Sequence, residues 1–175
     1  MLILVVGPSG AGKDTLLLAA RAKLAGDGRV RFARRDITRP DTPGGEEHLP
    51  IDRPTFESRR DAGGYALWWE AHGMAYGIPI DIEHDLAQGV TVVASVSRAV
   101  IAEAAARYRA RVVEITAPRE VLAARLAARG REGAADVAKR LNRSVVLPQG
   151  IDHITVMNDG SIEQGATRLL AAFAP

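Results

Sequence analysis

One run near the start of the chain restricts its fold more than any other feature. Five apolar residues, Leu2–Val6, lead into Gly7, Pro8, Ser9, Gly10, Ala11, Gly12 and Lys13, and an Ala/Leu-rich stretch of helical character follows. A buried strand, a turn rich in glycine and a lysine opening a helix form the context of a phosphate-binding loop. The glycines let main-chain N–H groups converge on phosphate oxygens. The helix N-terminus adds favourable partial charge. Lys13 has the length to reach the β- and γ-phosphates of a bound nucleoside triphosphate.

The position after the lysine departs from the usual pattern. Asp14 stands where a Ser or Thr hydroxyl ordinarily meets Mg²⁺, and Thr15 follows. An aspartate is also a hard oxygen ligand, and a negative charge is tolerated at a helix N-terminus. Two readings stay open. Either Asp14 binds or orients the metal, or Asp14 caps the helix and Thr15 meets the metal. Thr15 would need a shifted helix start, because neighbouring helical residues point about 100° apart.

The rest of the chain alternates short apolar runs with helical stretches. Strands are expected at Leu2–Val6, Val30–Ile37, Val90–Val96, Arg111–Thr116 and His153–Met157. Helices are expected over Lys13–Leu24, Pro54–Ala62, Pro79–Gln88, Ser97–Tyr108, Pro118–Arg129, Ala135–Val145 and Ser161–Phe173. Tyr65–Glu70 and Ala75–Tyr76 flank His72-Gly73 and predict an antiparallel hairpin. Strand-helix alternation implies an α/β fold with a central parallel sheet covered on both faces. Residues from about 37 to 80 break the rhythm and read as a substrate-facing insertion within one domain spanning residues 1–175.

Composition removes several classes of function. There is no cysteine, so disulfides and Cys-ligated metals are excluded, and the four histidines lack ligand spacing. A formal net charge of +2 without a basic tail argues against a nucleic-acid partner. The opening apolar run is too short for a signal peptide or a membrane span. The expectation is a cytoplasmic protein with no membrane partner, of open oligomeric state. Arginine dominates the basic residues, with Lys13, Lys23 and Lys139 the only lysines. Arginine suits bidentate capture of phosphate.

Further segments carry a resemblance. The phosphate loop is followed in order by Thr38-Arg39-Pro40, Gly44-Gly45-Glu46 and the run Trp68-Trp69-Glu70-Ala71-His72-Gly73-Met74-Ala75-Tyr76-Gly77. Arg125-Leu-Ala-Ala-Arg129-Gly-Arg-Glu132, Lys139-Arg140-Leu141 and Met157-Asn158-Asp159 complete the series. Together they resemble the guanylate-kinase-like P-loop family over nearly the whole chain. The resemblance implies a three-layer P-loop NTPase fold with a small acceptor-binding insertion, an Arg-rich lid at about 125–145, and ATP and Mg²⁺ as cofactors.

The departures matter as much as the matches. Leu67 stands where the family has a glutamate that reads guanine, Ile78 where a small hydroxyl residue follows Tyr-Gly, and Thr42 where a second arginine stands. The acidic pair at the end of the central strand becomes Ser95-Val96-Ser97-Arg98. Leucine offers guanine no acceptor, and an unsatisfied buried donor costs about 1–3 kcal/mol. Gly12-Lys13-Asp14, Tyr76-Gly77-Ile78-Pro79 and Ser97-Arg98-Ala99 together resemble the ribose 1,5-bisphosphate phosphokinase branch.

That resemblance implies an ATP-dependent kinase with a phosphorylated ribose as its small-molecule substrate. A nucleoside monophosphate kinase and a non-catalytic binding module are the competing readings. Lys13 and Mg²⁺ would hold the ATP phosphates, with Arg125, Arg129 and Arg140 closing over the transferred group. Arg39, with Arg34 or Arg35, would hold an acceptor phosphate. Arg98 is a further candidate phosphate ligand, and Ser97 a partner for sugar or metal water. Glu46 and Glu70 are candidates for ribose hydroxyls. His72 and Tyr76 would shape the acceptor pocket, and Asn158 would lie near adenine.

Overall fold

A computed structural model describes residues 1–40, 47–128 and 148–174. Nine strands are present among them. They are β1 (Leu2–Val6), β2 (Val30–Phe32), β3 (Arg35–Ile37), β4 (His48–Pro50), β5 (Tyr65–Ala71), β6 (Met74–Pro79), β7 (Thr91–Ser95), β8 (Ala110–Thr116) and β9 (Asp152–Met157). One sheet has the order β2-β7-β1-β8-β9 and the other β4-β3-β6-β5. The β2–β7 and β8–β9 pairs run parallel, as strand-helix alternation predicts. The chain forms two compact units, Met1–Leu4 with Asp27–Ala110, and Val5–Gly26 with Arg111–Pro175.

In the first unit, β2 pairs with β7 through Val30–Thr91, Arg31–Val92 and Phe32–Val93. The N–H of Ala33 still donates to Val93 O at 2.8 Å, and then the chain changes sheet. The extended segment expected over Val30–Ile37 is therefore divided into two strands. Both halves are extended, so residue pattern alone does not reveal the change of partner. β3 pairs in parallel with β4 and antiparallel with β6. The strand β4 is not anticipated by the residue pattern, because three residues give no measurable alternation.

Helix α2 (Arg53–Asp61) starts where Asp52 accepts a hydrogen bond from Thr55 N–H at 2.8 Å. Its buried Phe56 stacks on Tyr65 with ring centroids 4.8 Å apart. Phe56, Tyr65 and Ala75 form a small core, with Ile51 against it. Strands β5 and β6 form the expected hairpin, from Ala71–Met74 back to Tyr65–Pro79. Its two-residue loop has φ of 54° at His72 and 74° at Gly73, the left-handed pair a tight hairpin requires. Trp68 is exposed beneath the Arg60 guanidinium while Trp69 is buried, the alternation expected of a strand.

The hairpin ladder carries β6 through Pro79, so the helix expected from Pro79 begins only at Ile82, as α3 (Ile82–Ala87). After β7, Ser97 Oγ accepts from Ala99 N–H, a 3₁₀ turn spans Arg98–Val100, and α4 covers Ile101–Arg107. Ser97 thus fills the capping role its residue type suggests.

The second unit holds the glycine-rich loop, α1 (Lys13–Lys23), β8, α5 (Arg119–Ala128), β9 and α6 (Ile162–Ala172). Ser161 and Gln164 close a reciprocal capping box at the start of α6. A glycine inside a helix costs roughly 0.5–1 kcal/mol relative to alanine, yet α6 carries Gly165. A Cβ there would lie 2.8 Å from Leu16 Cδ2 of α1, so the glycine sets how closely the two helices pack. The helix expected over Ala135–Val145 and most of the expected lid lie outside the described residues. No helix among the described residues is long and apolar enough to cross a membrane.

Gly77 has a comparable role in the hairpin. A Cβ on it would meet the Tyr65 ring at 2.4 Å. Gly77→Ala is expected to destabilise the protein by about 1–3 kcal/mol, the usual cost of overpacking. The measurement is a urea midpoint, and a midpoint equal to wild type would show that the ring moves aside at no cost.

Candidate active site

The phosphate loop is held by contacts that only glycine permits. Gly7 has φ of 153°, and a Cβ on it would lie 2.1 Å from Ile115 O. Gly10, at φ 85°, faces Leu122 O and Leu126 of α5. Gly12, at φ 82°, is the N-cap of α1 and has no room for a side chain beside Asn158. Lys13 Nζ donates to Gly7 O at 2.8 Å and to Pro8 O at 3.3 Å. The ammonium thus bridges the start of its own loop.

Asp14 and Thr15 are both exposed in the first turn of α1. The helix begins at Lys13 with no shift of its start. Both side chains carry the hard oxygen donors that suit Mg²⁺. No cluster of three or more metal-ligating side chains exists among the described residues. That sparse donor set fits Mg²⁺, which keeps several waters and shares its shell with substrate phosphates.

Arg125 on α5 belongs to the same unit. Its Nη1 lies 3.9 Å from the point where a Gly12 Cβ would sit. That nitrogen is buried and meets no hydrogen-bond partner among the described residues. A buried guanidinium nitrogen without an acceptor is costly, and a phosphate oxygen would satisfy it. The loop and Arg125 therefore fit the polyphosphate of a nucleotide.

Asn158, expected near adenine, has its side chain engaged by the phosphate loop. Its side chain is buried, and Nδ2 donates to Ala11 O at 2.8 Å. Neighbouring Asp159 instead pairs with Arg168 at 2.6 Å.

In the other unit, Arg35, Trp69, Tyr76 and Ser95 come together. The Trp69 and Tyr76 rings, paired across the hairpin, stack at 5.3 Å and 0°. The Arg35 guanidinium sits 5.9 Å and 5.6 Å from their centroids, within cation–π range. Its Nη1 donates to Ser95 O at 3.1 Å. Ser97 and the half-buried Arg98 follow Ser95 directly in the chain.

Arg39 is positioned from both sides. Thr38 N–H donates to Ala75 O, and Thr38 Oγ1 accepts from Ala75 N–H at 2.8 Å. The His48 ring Nε2 lies 3.2 Å from Arg39 O. Arg39 Nε is buried without a hydrogen-bond partner among the described residues. Arg34 has a structural contact instead, donating to His48 O at 3.0 Å. Within β3, Asp36 is 1% exposed and accepts from Arg59 and from Tyr65 Oη at 2.9 Å. Burial, reinforced by the bond to Asp36, pushes the Tyr65 hydroxyl above its usual range, so it remains a donor.

Glu70 and His72 are not brought to this cluster. Glu70 follows Trp69 in the strand, so its side chain projects from the opposite face, where it pairs with Arg53. His72 forms the exposed tip of the hairpin. Glu46, Arg129 and Arg140 lie outside the described residues. Residue-level reasoning missed His48, although its place after the Thr38-Arg39 element was the available signal. Leu67, which the sequence resemblance sets at a guanine-reading position, is fully buried opposite Ile78.

A strand, glycine-rich loop, lysine and helix in this geometry define a P-loop α/β fold. Comparison with solved structures shows the same fold. Guanylate kinase from Anaplasma phagocytophilum superposes with a TM-score of 0.68 at 21% identity, covering 98% of this chain and 84% of that one. A scan against protein-family models gives no match. Among curated proteins, ribose 1,5-bisphosphate phosphokinase PhnN of Brucella melitensis is 46% identical over 162 residues, covering 91% of this chain and 84% of its own. The protein of the same name from Methylobacterium radiotolerans is 47% identical over 171 residues, covering 97% and 95%. The chain belongs to the ribose 1,5-bisphosphate phosphokinase family.

Arg125 yields a prediction. Replacing this half-buried arginine, whose Nη1 is buried without a partner among the described residues, by an apolar side chain of similar length removes a desolvation cost. Arg125→Met is expected to melt no lower than wild type without ligand, yet to bind ATP roughly tenfold more weakly, the scale of one charge-assisted hydrogen bond. Calorimetric titration and thermal melts measure both. Unchanged ATP affinity would remove Arg125 from the site.

Proposed function

We propose that the protein transfers the γ-phosphoryl group of ATP to the 1-phosphate of ribose 1,5-bisphosphate, giving 5-phospho-α-D-ribose 1-diphosphate and ADP. One observation carries the choice of acceptor. The glycine-rich loop carries Lys13 at its end, while the position that the sequence resemblance assigns to a guanine-reading glutamate holds the fully buried Leu67. The naming of the bacterial relatives supports the same reading.

The chemistry makes modest demands on the protein. The bond between the γ-phosphorus and the leaving oxygen of ADP breaks, and a bond forms to an oxygen of the acceptor 1-phosphate. That oxygen is already anionic at neutral pH, so no strong general base is required. Alignment and charge neutralisation must supply the rate.

Main-chain N–H groups of the loop, Lys13 and Arg125 hold the donor phosphates. Arg39, with Arg35 and Arg98, receives the acceptor phosphates, and Ser97 hydrogen-bonds the sugar or a metal-bound water. Arg129 and Arg140 of the lid complete the neutralisation. Asp14 is the first choice of the two metal candidates, because it stands directly after Lys13, where the loop pattern ordinarily has its metal-binding hydroxyl. Mg²⁺ would be held by Asp14 or Thr15 together with the phosphates, and would offset charge developing on the transferred group. In this reading the chain is one kinase domain with an acceptor-binding insertion. It acts in the cytoplasm, where ATP is available, on small molecules rather than nucleic acid.

Phosphorus NMR of the protein with Mg·ATP and ribose 1,5-bisphosphate is expected to show a new sugar-linked diphosphate. Turnover of GMP exceeding that of the sugar bisphosphate would overturn the choice of acceptor. Arg39→Ala is expected to raise the KM for the sugar bisphosphate at least about tenfold while leaving ATP binding unchanged. In Asp14→Ala, the Mg²⁺ dependence of turnover should shift to higher concentration. An unchanged dependence would leave the metal to Thr15.

A further inference from the structure

The most heavily constrained polar side chain beside the phosphate loop is Asn158. It is 6% exposed and sits immediately after β9, where its own N–H donates to Thr116 O at 2.7 Å. Its Nδ2 donates to Ala11 O at 2.8 Å. Two glycines make room for it. A Cβ on Gly12 would come within 2.5 Å of Nδ2, and a Cβ on Gly165 would lie 3.0 Å from Oδ1. One asparagine thus occupies space left by the loop on one side and by α6 on the other.

The consequence follows from peptide geometry. In a trans peptide the carbonyl and the following N–H point in opposite directions. Holding Ala11 C=O against Asn158 therefore turns the Gly12 N–H away from it. Gly12 has φ of 82°, and glycine crosses between left- and right-handed backbone at little cost. Without a restraint, the Ala11–Gly12 peptide could flip and present a carbonyl where a phosphate needs a donor. The Gly12 carbonyl is already engaged by Leu16 N–H at 3.0 Å, which fixes the far side of that residue.

We infer that Asn158 is a positioning residue of the phosphate loop, whose buried amide latches the Ala11–Gly12 peptide so that the Gly12 N–H is presented to the nucleotide phosphates. The inference rests on the reading of residues 7–13 as the triphosphate site. It differs from a role in reading the purine, because the amide is spent on the loop itself.

The test is calorimetric titration of ATP, GTP and inorganic tripolyphosphate into wild type, Asn158→Ala and Asn158→Leu. The leucine keeps the volume and removes the donor. The latch predicts that both variants bind all three ligands about tenfold more weakly, the scale of one lost buried hydrogen bond. The ATP-to-GTP preference and the KM for ribose 1,5-bisphosphate should stay as in wild type. Loss of that preference with unchanged tripolyphosphate affinity would overturn the latch in favour of a purine contact. A lowered melting temperature with unchanged affinity for all three would overturn it in favour of a packing role, as would loss of the folded state in both variants. Wild-type protein that fails to bind tripolyphosphate, or binds it equally well as Lys13→Ala, would overturn the triphosphate site itself and the inference with it.

Discussion

Everything about the unit that holds the glycine-rich loop depends on a short stretch of backbone held in conformations that ordinary side chains resist. Gly7, Gly10 and Gly12 all have positive φ, and Gly7 passes so close to Ile115 that no Cβ fits. Within that stretch the Lys13 ammonium is bridged by the carbonyls of Gly7 and Pro8. The arrangement concentrates donors and positive charge in a small volume before any ligand arrives. Preorganisation of this kind matters because a polyphosphate brings its own repulsion, and dipoles already in place need no reorganisation when charge shifts.

The unit containing the hairpin is organised around a different problem, the placement of arginines. Thr38 exchanges two hydrogen bonds with Ala75, His48 lies against the carbonyl of Arg39, and Asp36 is tied to Tyr65 and Arg59. The contacts of Thr38 and His48 fix backbone next to Arg39 rather than its guanidinium. Arg35 rests over Trp69 and Tyr76, which orients a guanidinium without consuming it in an ion pair with those groups.

Much of this was legible in the residues alone. The Leu2–Lys13 run identified both the loop and the fold class, and the His72-Gly73 loop located the hairpin. The places where residue pattern fell short share one cause. Val30–Ile37 is continuous in pattern but divided between two sheets, and β4 is too short to show a period. Pro79 looks like a helix start and instead ends a strand, because the ladder reaching back to Tyr65 recruits it. Glu70 carried a plausible chemistry, yet strand alternation put it on the face away from Arg35. Asn158 was expected near adenine and is bound to the loop carbonyl of Ala11.

By itself, then, the sequence determined the chemistry this protein has available. A glycine-rich turn with a lysine, a surplus of arginine and an apolar residue at the base-reading position are properties of covalent structure and local backbone preference. Tertiary structure decided which of those groups share a site. Only packing shows that Arg125 lies beside Gly12 with a buried nitrogen lacking an acceptor among the described residues, or that Gly12 and Gly165 both yield space to one asparagine. Those relations join residues far apart in the chain, and hydrogen bonding and exclusion of volume act on distance in space, which local sequence does not encode.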